Sequence, residues 1–338
     1  MPLAAVFDCE GPTLSADERA FFRDADPWGF ILFARHCENA EAARALCAEL
    51  RETVGREAPI LIDQEGGRVA RLKPPAFPAH PAPAVFGALW KLDPAKAREA
   101  ARLNGYLLAR MILDVGATID CVPMLDVPQK DSDAAVLGDR ALAKHPDIVA
   151  ALGRAMMEGL AEGGALPVVK HLPGHGRALA DTHHALARVG ASKADLRATD
   201  FAPFRALADA PMGMSAHIVY EAYDPERPAT LSPIVIEEVI RGEIGFKGLL
   251  ISDDLKMNAL GGPLGARAGE ALEAGCDIAL CCNYPLADKI AAAEAARPLA
   301  GASLARAGAA LARARAPVLR DVAEGYEALA ALIKPALA

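Results

Sequence analysis

Near its middle the chain reads Leu166-Pro-Val-Val-Lys-His-Leu-Pro-Gly-His-Gly176. The run that ends at Lys170 has the length and apolar character of a buried β-strand, and His171 follows it directly. Pro173 and the glycines beyond it exclude a regular helix, because proline has no N–H to donate and glycine weakens a helix. We therefore interpret this stretch as a strand followed by a loop that carries titratable side chains.

The same pattern recurs along the chain, and a longer segment with helical periodicity follows almost every run. The other strand-like runs are residues 4–8, 29–33, 59–63, 118–122, 213–216, 248–252 and 277–281. The helical segments between the runs include residues 15–24, 40–54, 94–115, 148–163, 200–208, 232–244 and 266–274.

Strands that are apolar throughout, rather than alternating, are typical of a parallel sheet that is buried on both faces. Eight strand and helix units in a chain of 338 residues predict an α/β fold of the TIM (β/α)8 barrel type. A doubly wound open sheet is the main alternative. That fold would favour a glycine-rich phosphate turn after the first strand, whereas this chain has Asp8-Cys-Glu-Gly-Pro12 there.

The composition, 53% hydrophobic and 24% charged, is that of an ordinary globular protein with enough apolar residues for a large core. We find no linker and no internal repeat. Residues 1–338 are therefore predicted to form a single catalytic barrel domain, with a C-terminal helical extension over about residues 300–338. A proline-rich stretch at 73–83 is either a fixed wall of the site or an ordinary long barrel loop.

Charge and cysteine content limit the possible partners and compartment. The net charge is −8 and the basic residues are scattered, which argues against nucleic acid or an anionic membrane as a partner. The first ten residues lack the basic start of a secretory signal. The seven cysteines show no Cys-x-x-Cys spacing, so we expect reduced thiols in the core and a cytoplasmic location.

Polar side chains stand where the predicted strands end, and this is the face at which TIM barrels place their active sites. A ring of charges in a partly desolvated mouth costs free energy unless the charges are paired or used, so their convergence predicts a functional site. These residues are Asp8, Arg35, His36, Asp63, Asp126, Lys170, His171, Ser215, His217, Ser252, Asp253 and Asp254.

Two kinds of chemistry could use this set. A metal-dependent hydrolase would need His171, His175 and His183 as ligands, but Pro173 breaks the helix on which a pair spaced by four would face one ion. Acid and base catalysis on a hydroxyl-rich ligand fits better. In that case Asp181 would hold the imidazole of His183, and a second carboxylate at another strand end could act as a nucleophile.

Three motifs resemble those of glycoside hydrolase family 3, and in particular its single-domain bacterial β-N-acetylglucosaminidases. They are Lys170-His-Leu-Pro-Gly-His-Gly176 with Asp181-Thr-His183, Ile62-Asp-Gln-Glu-Gly-Gly-Arg-Val69, and Ile251-Ser-Asp-Asp-Leu-Lys-Met257. Their order and spacing match over about residues 6–283. The resemblance implies a TIM barrel and a retaining double displacement.

Residue roles follow from the same resemblance. Asp253 matches the family nucleophile, and His183 matches the acid/base, with Asp181 as its partner. The resemblance and the strand-end positions together imply that the sugar is bound by Asp63, Arg71, Arg140, Lys170, His171 and His217. Glu65 and Arg68 are expected to be buried structural partners of the Gly66-Gly67 turn, and His175 is expected to stabilise its loop through backbone hydrogen bonds. His184 is the nearest rival of His183.

The resemblance implies a small carbohydrate substrate, N-acetylglucosaminyl muropeptide fragments from peptidoglycan recycling, and neither a cofactor nor a metal. A β-glucosidase, a glycoside phosphorylase and a non-catalytic sugar-binding protein remain alternatives. The chain departs from the family pattern at Leu172, Thr182, Ala141 and Lys256. None of these changes removes a proton carrier, although Lys256 stands close in sequence to Asp253.

Overall fold

The computed structural model describes residues 1–129, 137–178, 186–256 and 260–337. Within these residues the chain forms ten strands. They are β1 Leu3–Phe7, β2 Pro27–Leu32, β3 Ile60–Ile62, β4 Ile119–Asp120, β5 Leu166–Leu172, β6 Ala187–Val189, β7 Met212–Ser215, β8 Ile218–Tyr220, β9 Leu249–Ile251 and β10 Ala279–Cys281.

Eight of the strands form one parallel sheet that nearly closes on itself. Their order is β10-β1-β2-β3-β4-β5-β7-β9, so each strand lies beside the next one along the chain apart from β6 and β8. A parallel bridge between Ile251 and Ile278 connects the two edge strands, and the Ser252 N–H donates to the Ile278 carbonyl at 2.9 Å. The predicted TIM barrel is confirmed, since an open doubly wound sheet would leave these edges apart.

The barrel strands are buried along most of their length, as parallel strands covered on both faces must be. Every residue of β2 and β5 is buried, and so are the last four residues of β1. All eight predicted strand-like runs coincide with barrel strands. A run that is apolar at consecutive positions has no solvent-exposed face, so helices must cover its outer side.

The helices surround the barrel. They are α1 Ala16–Ala25, α2 Ala40–Val54, α3 Ala84–Leu92, α4 Pro94–Asp114, α5 Pro146–Gly163, α6 Lys193–Ala198, α7 Ala202–Ala206, α8 Leu264–Ala274, α9 Leu286–Ala295, α10 Gly301–Leu311 and α11 Val322–Leu337, with a π-helical segment at Val235–Glu243. Helix α2 has the predicted bounds because the Asn39 side chain caps its first turn and Gly55 ends it in the left-handed conformation.

Two parts of the prediction differ from the structure. The single helix expected over 200–208 is the shorter α7, because Pro203 belongs in the first turn of a helix; a separate helix, α6, precedes it and starts at the Ser192 cap. The parallel pair of β6 and β8 was not predicted. The exposed Arg188 stands at the centre of β6, so this strand is not the kind of continuous apolar run by which the barrel strands are recognised.

In the described parts of the chain, every helix is too short or too polar to span a bilayer. All seven cysteines are buried and none is in a disulfide, as the sequence predicts. Burial raises the pKa of several of these thiols, for example that of Cys9 to about 12. Such thiols remain protonated and act as small apolar core residues.

Candidate functional site

A buried lysine lies at the centre of the barrel mouth. Lys170 is 2% exposed, and its Nζ lies 2.8 Å from Asp63 Oδ1 and 2.6 Å from Glu65 Oε1. Burial alone would lower the pKa of this amine, but the two carboxylates raise it above its ordinary value. Lys170 therefore carries a permanent positive charge within β5.

Asp63 joins this lysine to an arginine. Its Oδ2 accepts from Arg71 Nη at 3.0 Å, while its Oδ1 accepts from Lys170. Burial would raise the pKa of Asp63, but Lys170 and Arg71 lower it well below its ordinary range. The ionised side chain is 17% exposed. Asp63 is thus a fixed acceptor at the mouth, and charged donors lie on both sides of it.

Glu65 forms the inner part of the same cluster. Arg140 binds it with two parallel hydrogen bonds, from Nε at 2.9 Å and from Nη at 2.8 Å, and Lys170 is its third partner. Burial would raise the pKa of Glu65, yet Lys170 and Arg140 lower it to about 2. The burial expected for Glu65 is confirmed, and its structural role stays a prediction. The same expectation is wrong for Arg68, which is 44% exposed and pairs with Asp139 at the surface.

The turn after β3 presents this cluster and requires glycine. The N–H groups of Glu65 and Gly66 both donate to the Val69 carbonyl. Gly66 has a φ of +94°, and a Cβ there would lie 2.3 Å from the Pro81 carbonyl oxygen. No other residue fits, because both the backbone conformation and the space exclude a side chain.

A second pair joins the loop after β4 to β5. Asp126 is completely buried, and its Oδ2 lies 2.7 Å from His171 Nδ1, while its Oδ1 accepts from the His175 N–H at 2.6 Å. Burial would raise the pKa of Asp126, but the neighbouring His171 lowers it to about 2. This carboxylate orients the His171 ring, as a carboxylate does for a histidine in many active sites. Sequence analysis marked Asp126 only as a polar residue after a strand.

His175 supports its loop through the backbone, as the sequence predicts. Its N–H bonds to Asp126, its ring centroid lies 5.5 Å from that of His171, and burial lowers its pKa to about 4. The loop is also held where the Tyr220 hydroxyl donates to the Gly174 carbonyl at 2.6 Å and where Arg177 pairs with Asp200 at 2.8 Å.

Two adjacent carboxylates, Asp253 and Asp254, follow β9, and their pKa values are shifted in opposite directions. Burial would raise the pKa of Asp253, but His171, His217 and the Asp254 N–H lower it below its ordinary value. Burial raises the pKa of Asp254 to about 6, and the charge of Asp253 adds to that effect. Two carboxylates with oppositely shifted pKa values are suited to different tasks. Asp253 therefore stays ionised to lower pH than Asp254 does.

The backbone after β9 is fixed around Asp253. The Asp254 N–H donates to Asp253 Oδ1 at 2.8 Å, and the Asp254 carbonyl lies 3.0 Å from His217 Nε2. His217 is fully buried, and its other ring nitrogen lies 2.8 Å from Thr230 Oγ1. His217 thus contacts the segment that carries Asp253, and its predicted contact with a sugar stays a prediction.

The Asp254 side chain is hydrogen-bonded to Lys256 and Asn283 rather than to the partners of Asp253. Its Oδ1 accepts from the Lys256 N–H at 3.0 Å and its Oδ2 from Asn283 Nδ2 at 3.3 Å. Asn283 in turn accepts from Arg35 at 2.9 Å, and Arg35 pairs with the buried Asp8. The Lys256 amine donates to the Asn283 carbonyl. These contacts, which the sequence did not indicate, brace the loop on the side of β1 and β10.

One buried acid had no signal in the sequence. Asp120 is the last residue of β4 and is fully buried, and its Oδ1 accepts from the Gln64 N–H at 2.9 Å. Burial raises its pKa well above the ordinary value. Asp120 therefore holds the backbone of Gln64, which lies between Asp63 and Glu65.

Asp181 and His183, the predicted acid/base pair, and His184 lie outside the described residues. Because His183 is also the third ligand of the alternative metal site, that site is not described in full either. Among the residues that the structure does describe, no group of three or more His, Cys, Asp or Glu side chains is arranged to hold a metal ion.

The sequence of this chain is similar to one protein-family model and to several known proteins. The model of the glycosyl hydrolase family 3 N-terminal domain matches residues 11–307. A Beta-hexosaminidase from Alkalilimnicola ehrlichii is 42% identical over 282 residues, 82% of this chain and 79% of that protein. A second, from Bordetella avium, is 38% identical over 86% of this chain and 83% of its own.

Similar solved structures include that of NagZ from Neisseria gonorrhoeae in complex with N-trifluoroacetyl-D-glucosamine. It has a TM-score of 0.86 and 32% identity, and the match covers 100% of this chain and 98% of that one. The likeness therefore extends over the whole barrel and the C-terminal helices.

Proposed function

Because the chain belongs to glycoside hydrolase family 3, we propose that this β-N-acetylhexosaminidase removes terminal β-linked N-acetylglucosamine by a retaining double displacement. The observation that carries the proposal is the ionised Asp253 at the mouth of the barrel. The positive charge of Lys170 is among the influences that lower its pKa. A carboxylate that stays ionised in a largely buried site can attack an electrophilic carbon.

In the first step an Asp253 oxygen bonds to the anomeric carbon as the bond from that carbon to the leaving oxygen breaks. His183, protonated and held by Asp181, gives its proton to the leaving oxygen. In the second step the neutral His183 takes a proton from water, and the water oxygen bonds to the anomeric carbon and releases Asp253. One residue thus acts as acid and then as base, as microscopic reversibility requires.

The Lys170 cluster suits the binding of sugar hydroxyls. Asp63 can accept hydrogen bonds from two hydroxyls, while Arg71, Lys170 and His171 donate. Because Asp63 and Lys170 already hold each other at 2.8 Å, neither has to lose much side-chain entropy on binding. Arg140 supports them through Glu65.

The natural substrate proposed is an N-acetylglucosaminyl muropeptide fragment of peptidoglycan recycling, which would place the enzyme in the cytoplasm. The relatives named Beta-hexosaminidase and the bound N-trifluoroacetyl-D-glucosamine of the gonococcal structure support a substrate of the N-acetylglucosamine type. The net charge of −8 agrees with a small ligand rather than nucleic acid.

The function is tested by comparing an aryl β-N-acetylglucosaminide with the matching aryl β-glucoside, each with and without phosphate. We expect the N-acetylglucosaminide to be the better substrate by at least about 100-fold in kcat/KM, because a site that hydrogen-bonds the acetamido group is left unsatisfied by glucose. Phosphate should have no effect, and neither should a chelator.

Each other outcome identifies an alternative. Preference for the glucoside would indicate a β-glucosidase, a need for phosphate would indicate a phosphorylase, and loss of activity with the chelator would indicate a metal-dependent hydrolase. Binding of N-acetylglucosamine without any turnover would indicate a non-catalytic sugar-binding protein.

The acid/base role is tested by His183→Ala with two aryl leaving groups. For a poor leaving group such as phenol, kcat/KM should fall by about 10²- to 10⁴-fold, the usual contribution of general acid catalysis. For a dinitrophenyl glycoside, which needs no proton, the fall should be within about tenfold. His184→Ala is the matched control and should show no dependence on the leaving group. Equal losses on both substrates in His183→Ala would contradict the assignment.

A further inference from the structure

The side chain of His80 joins the C-terminal helix to the barrel. It lies in the proline-rich segment after β3 and is 7% exposed. Its Nδ1 lies 2.8 Å from Oδ1 of Asn104 on α4, and its Nε2 lies 3.0 Å from the hydroxyl of Tyr326 on α11. The rings of His80 and Tyr326 also make an edge-to-face contact with centroids 5.5 Å apart. Both ring nitrogens are therefore held by helices.

The backbone of the same residue holds the turn after β3. The Gly67 N–H donates to the His80 carbonyl at 3.0 Å. A Cβ on Gly66 would lie 2.3 Å from the Pro81 carbonyl oxygen, and one on Gly67 would lie 2.7 Å from the Ala82 Cβ. The turn and residues 80–82 are packed so closely that neither can shift without the other.

This turn sets the positions of the residues assigned to the sugar. Gln64 Oε1 accepts from the backbone N–H groups of Arg71 at 2.8 Å and Leu72 at 2.9 Å, which closes the segment from Asp63 to Arg71 into a compact loop. The two ends of that loop meet where Arg71 donates to Asp63 at 3.0 Å. A displacement of the turn would therefore change the geometry of both side chains.

Helix α11 is a firm support for this arrangement. Leu329 and Ile333 are buried, and a Cβ on Gly325 would lie 3.0 Å from Leu107 Cδ2 of α4. The close approach at Gly325 places the next residue, Tyr326, against His80. A rigid helix is a better support than a loop for a residue that orients a binding site.

We propose that Tyr326 is a positioning residue for the sugar, acting through His80 and the Gly66-Gly67 turn on Asp63 and Arg71. The inference rests on the proposed function, because it takes these two residues as sugar-binding groups. Tyr326 itself does not touch the sugar. Loss of its hydroxyl leaves a buried imidazole nitrogen without its partner, and the segment that carries His80 can relax to satisfy it.

The test is Tyr326→Phe, which deletes the hydroxyl and keeps the ring. We expect KM for an aryl β-N-acetylglucosaminide, and the dissociation constant of N-acetylglucosamine measured by calorimetry, to rise about fivefold, the usual effect of one hydrogen bond. The value of kcat should stay within about twofold, because Asp253 follows a different strand, β9. A purely structural role for Tyr326 would lower the unfolding midpoint and leave both constants unchanged.

Tyr106→Phe is the matched control. The Tyr106 hydroxyl donates to the Val318 carbonyl at 2.9 Å, so it also ties α4 to the C-terminal region but does not reach His80. This variant should lose a similar amount of stability and keep KM and sugar affinity.

The inference would be overturned if Tyr326→Phe and Tyr106→Phe had the same KM and the same dissociation constant for N-acetylglucosamine, or if Tyr326→Phe lowered kcat alone. Either result would leave the proposed function intact. A wild-type protein that neither cleaves the aryl N-acetylglucosaminide nor binds N-acetylglucosamine would overturn both. Turnover and sugar binding by the wild type therefore distinguish a failure of the Tyr326 inference from a failure of the proposed function.

Discussion

Replacement of Asp253 by asparagine is expected to lower kcat for an aryl β-N-acetylglucosaminide by at least about 10⁴-fold, because a neutral amide cannot form the glycosyl-enzyme bond. The amide has nearly the same shape as the carboxylate, so the Asp254 N–H keeps an acceptor. The fold should therefore be retained, and the circular dichroism spectrum and unfolding midpoint should stay close to those of the wild type.

Asp254→Asn is the natural control, since it makes the same chemical change one residue away. Asp254 is turned towards Lys256 and Asn283, and we expect this variant to lose at most about tenfold in kcat. Mass spectrometry of the protein treated with a slow fluorosugar should place the adduct on the peptide with Asp253. An adduct on Asp254, or a larger loss in Asp254→Asn, would reverse the assignment.

Replacement of Lys170 by methionine is expected to lower the free energy of unfolding by about 3 kcal/mol, because each of two carboxylates then loses one of its two cationic partners. The charges left behind are those of Asp63 and Glu65. KM should also rise by at least about tenfold, since Asp63 loses the donor that orients it and the sugar loses a charged partner. Chemical denaturation and steady-state kinetics measure the two effects.

Lys289→Met separates binding from stability. Lys289 is 1% exposed and its Nζ lies 2.8 Å from Asp8 Oδ1, so it too is a buried lysine paired with a carboxylate. The stability loss should be similar, whereas KM should change far less. If KM rises equally in both variants, Lys170 acts only through stability.

The pH dependence gives a second check on Lys170. The pKa of Glu65 is lowered from 4.5 to about 2, so its pairing stabilises the fold above about pH 4.5 and this stabilisation is lost as the pH falls towards 2. The difference in unfolding free energy between the wild type and Lys170→Met should therefore shrink over this range. A difference that stays constant would mean that the carboxylates are not what the lysine stabilises.

The architecture and the general place of the site were predictable because both depend on local patterns. An apolar strand such as β5 and the polar residues at its end are neighbours in the chain, and parallel strands bring all such ends to one face. The role of Asp126 was not predictable, because it depends on His171 in the next strand. Asp120 carries no signal at all, since an acid inside a strand-like run resembles a solvent-facing residue until its surroundings are known.

The exposure of Arg68 and the contact between His80 and Tyr326 were also unpredictable, because both depend on residues that are distant in the sequence. The expectation for Arg68 came from its nearness to Gly66 and Gly67 in the chain, but its partner, Asp139, lies 71 residues away. The residues His80 and Tyr326 are separated by 246 positions, and neither has a neighbour in the sequence that indicates the other.

By itself the sequence determined the barrel and the set of chemical groups at its mouth, because strand length, apolar continuity and helical period are properties of neighbouring residues. Only the tertiary structure decided how those groups are paired and charged. Lys170 meets Asp63 across 107 positions, and the pKa values of Asp253 and Asp254 move in opposite directions although the residues are adjacent. The physical reason is that a pKa depends on burial and on charges in space, and both come from strands that meet only when the barrel closes.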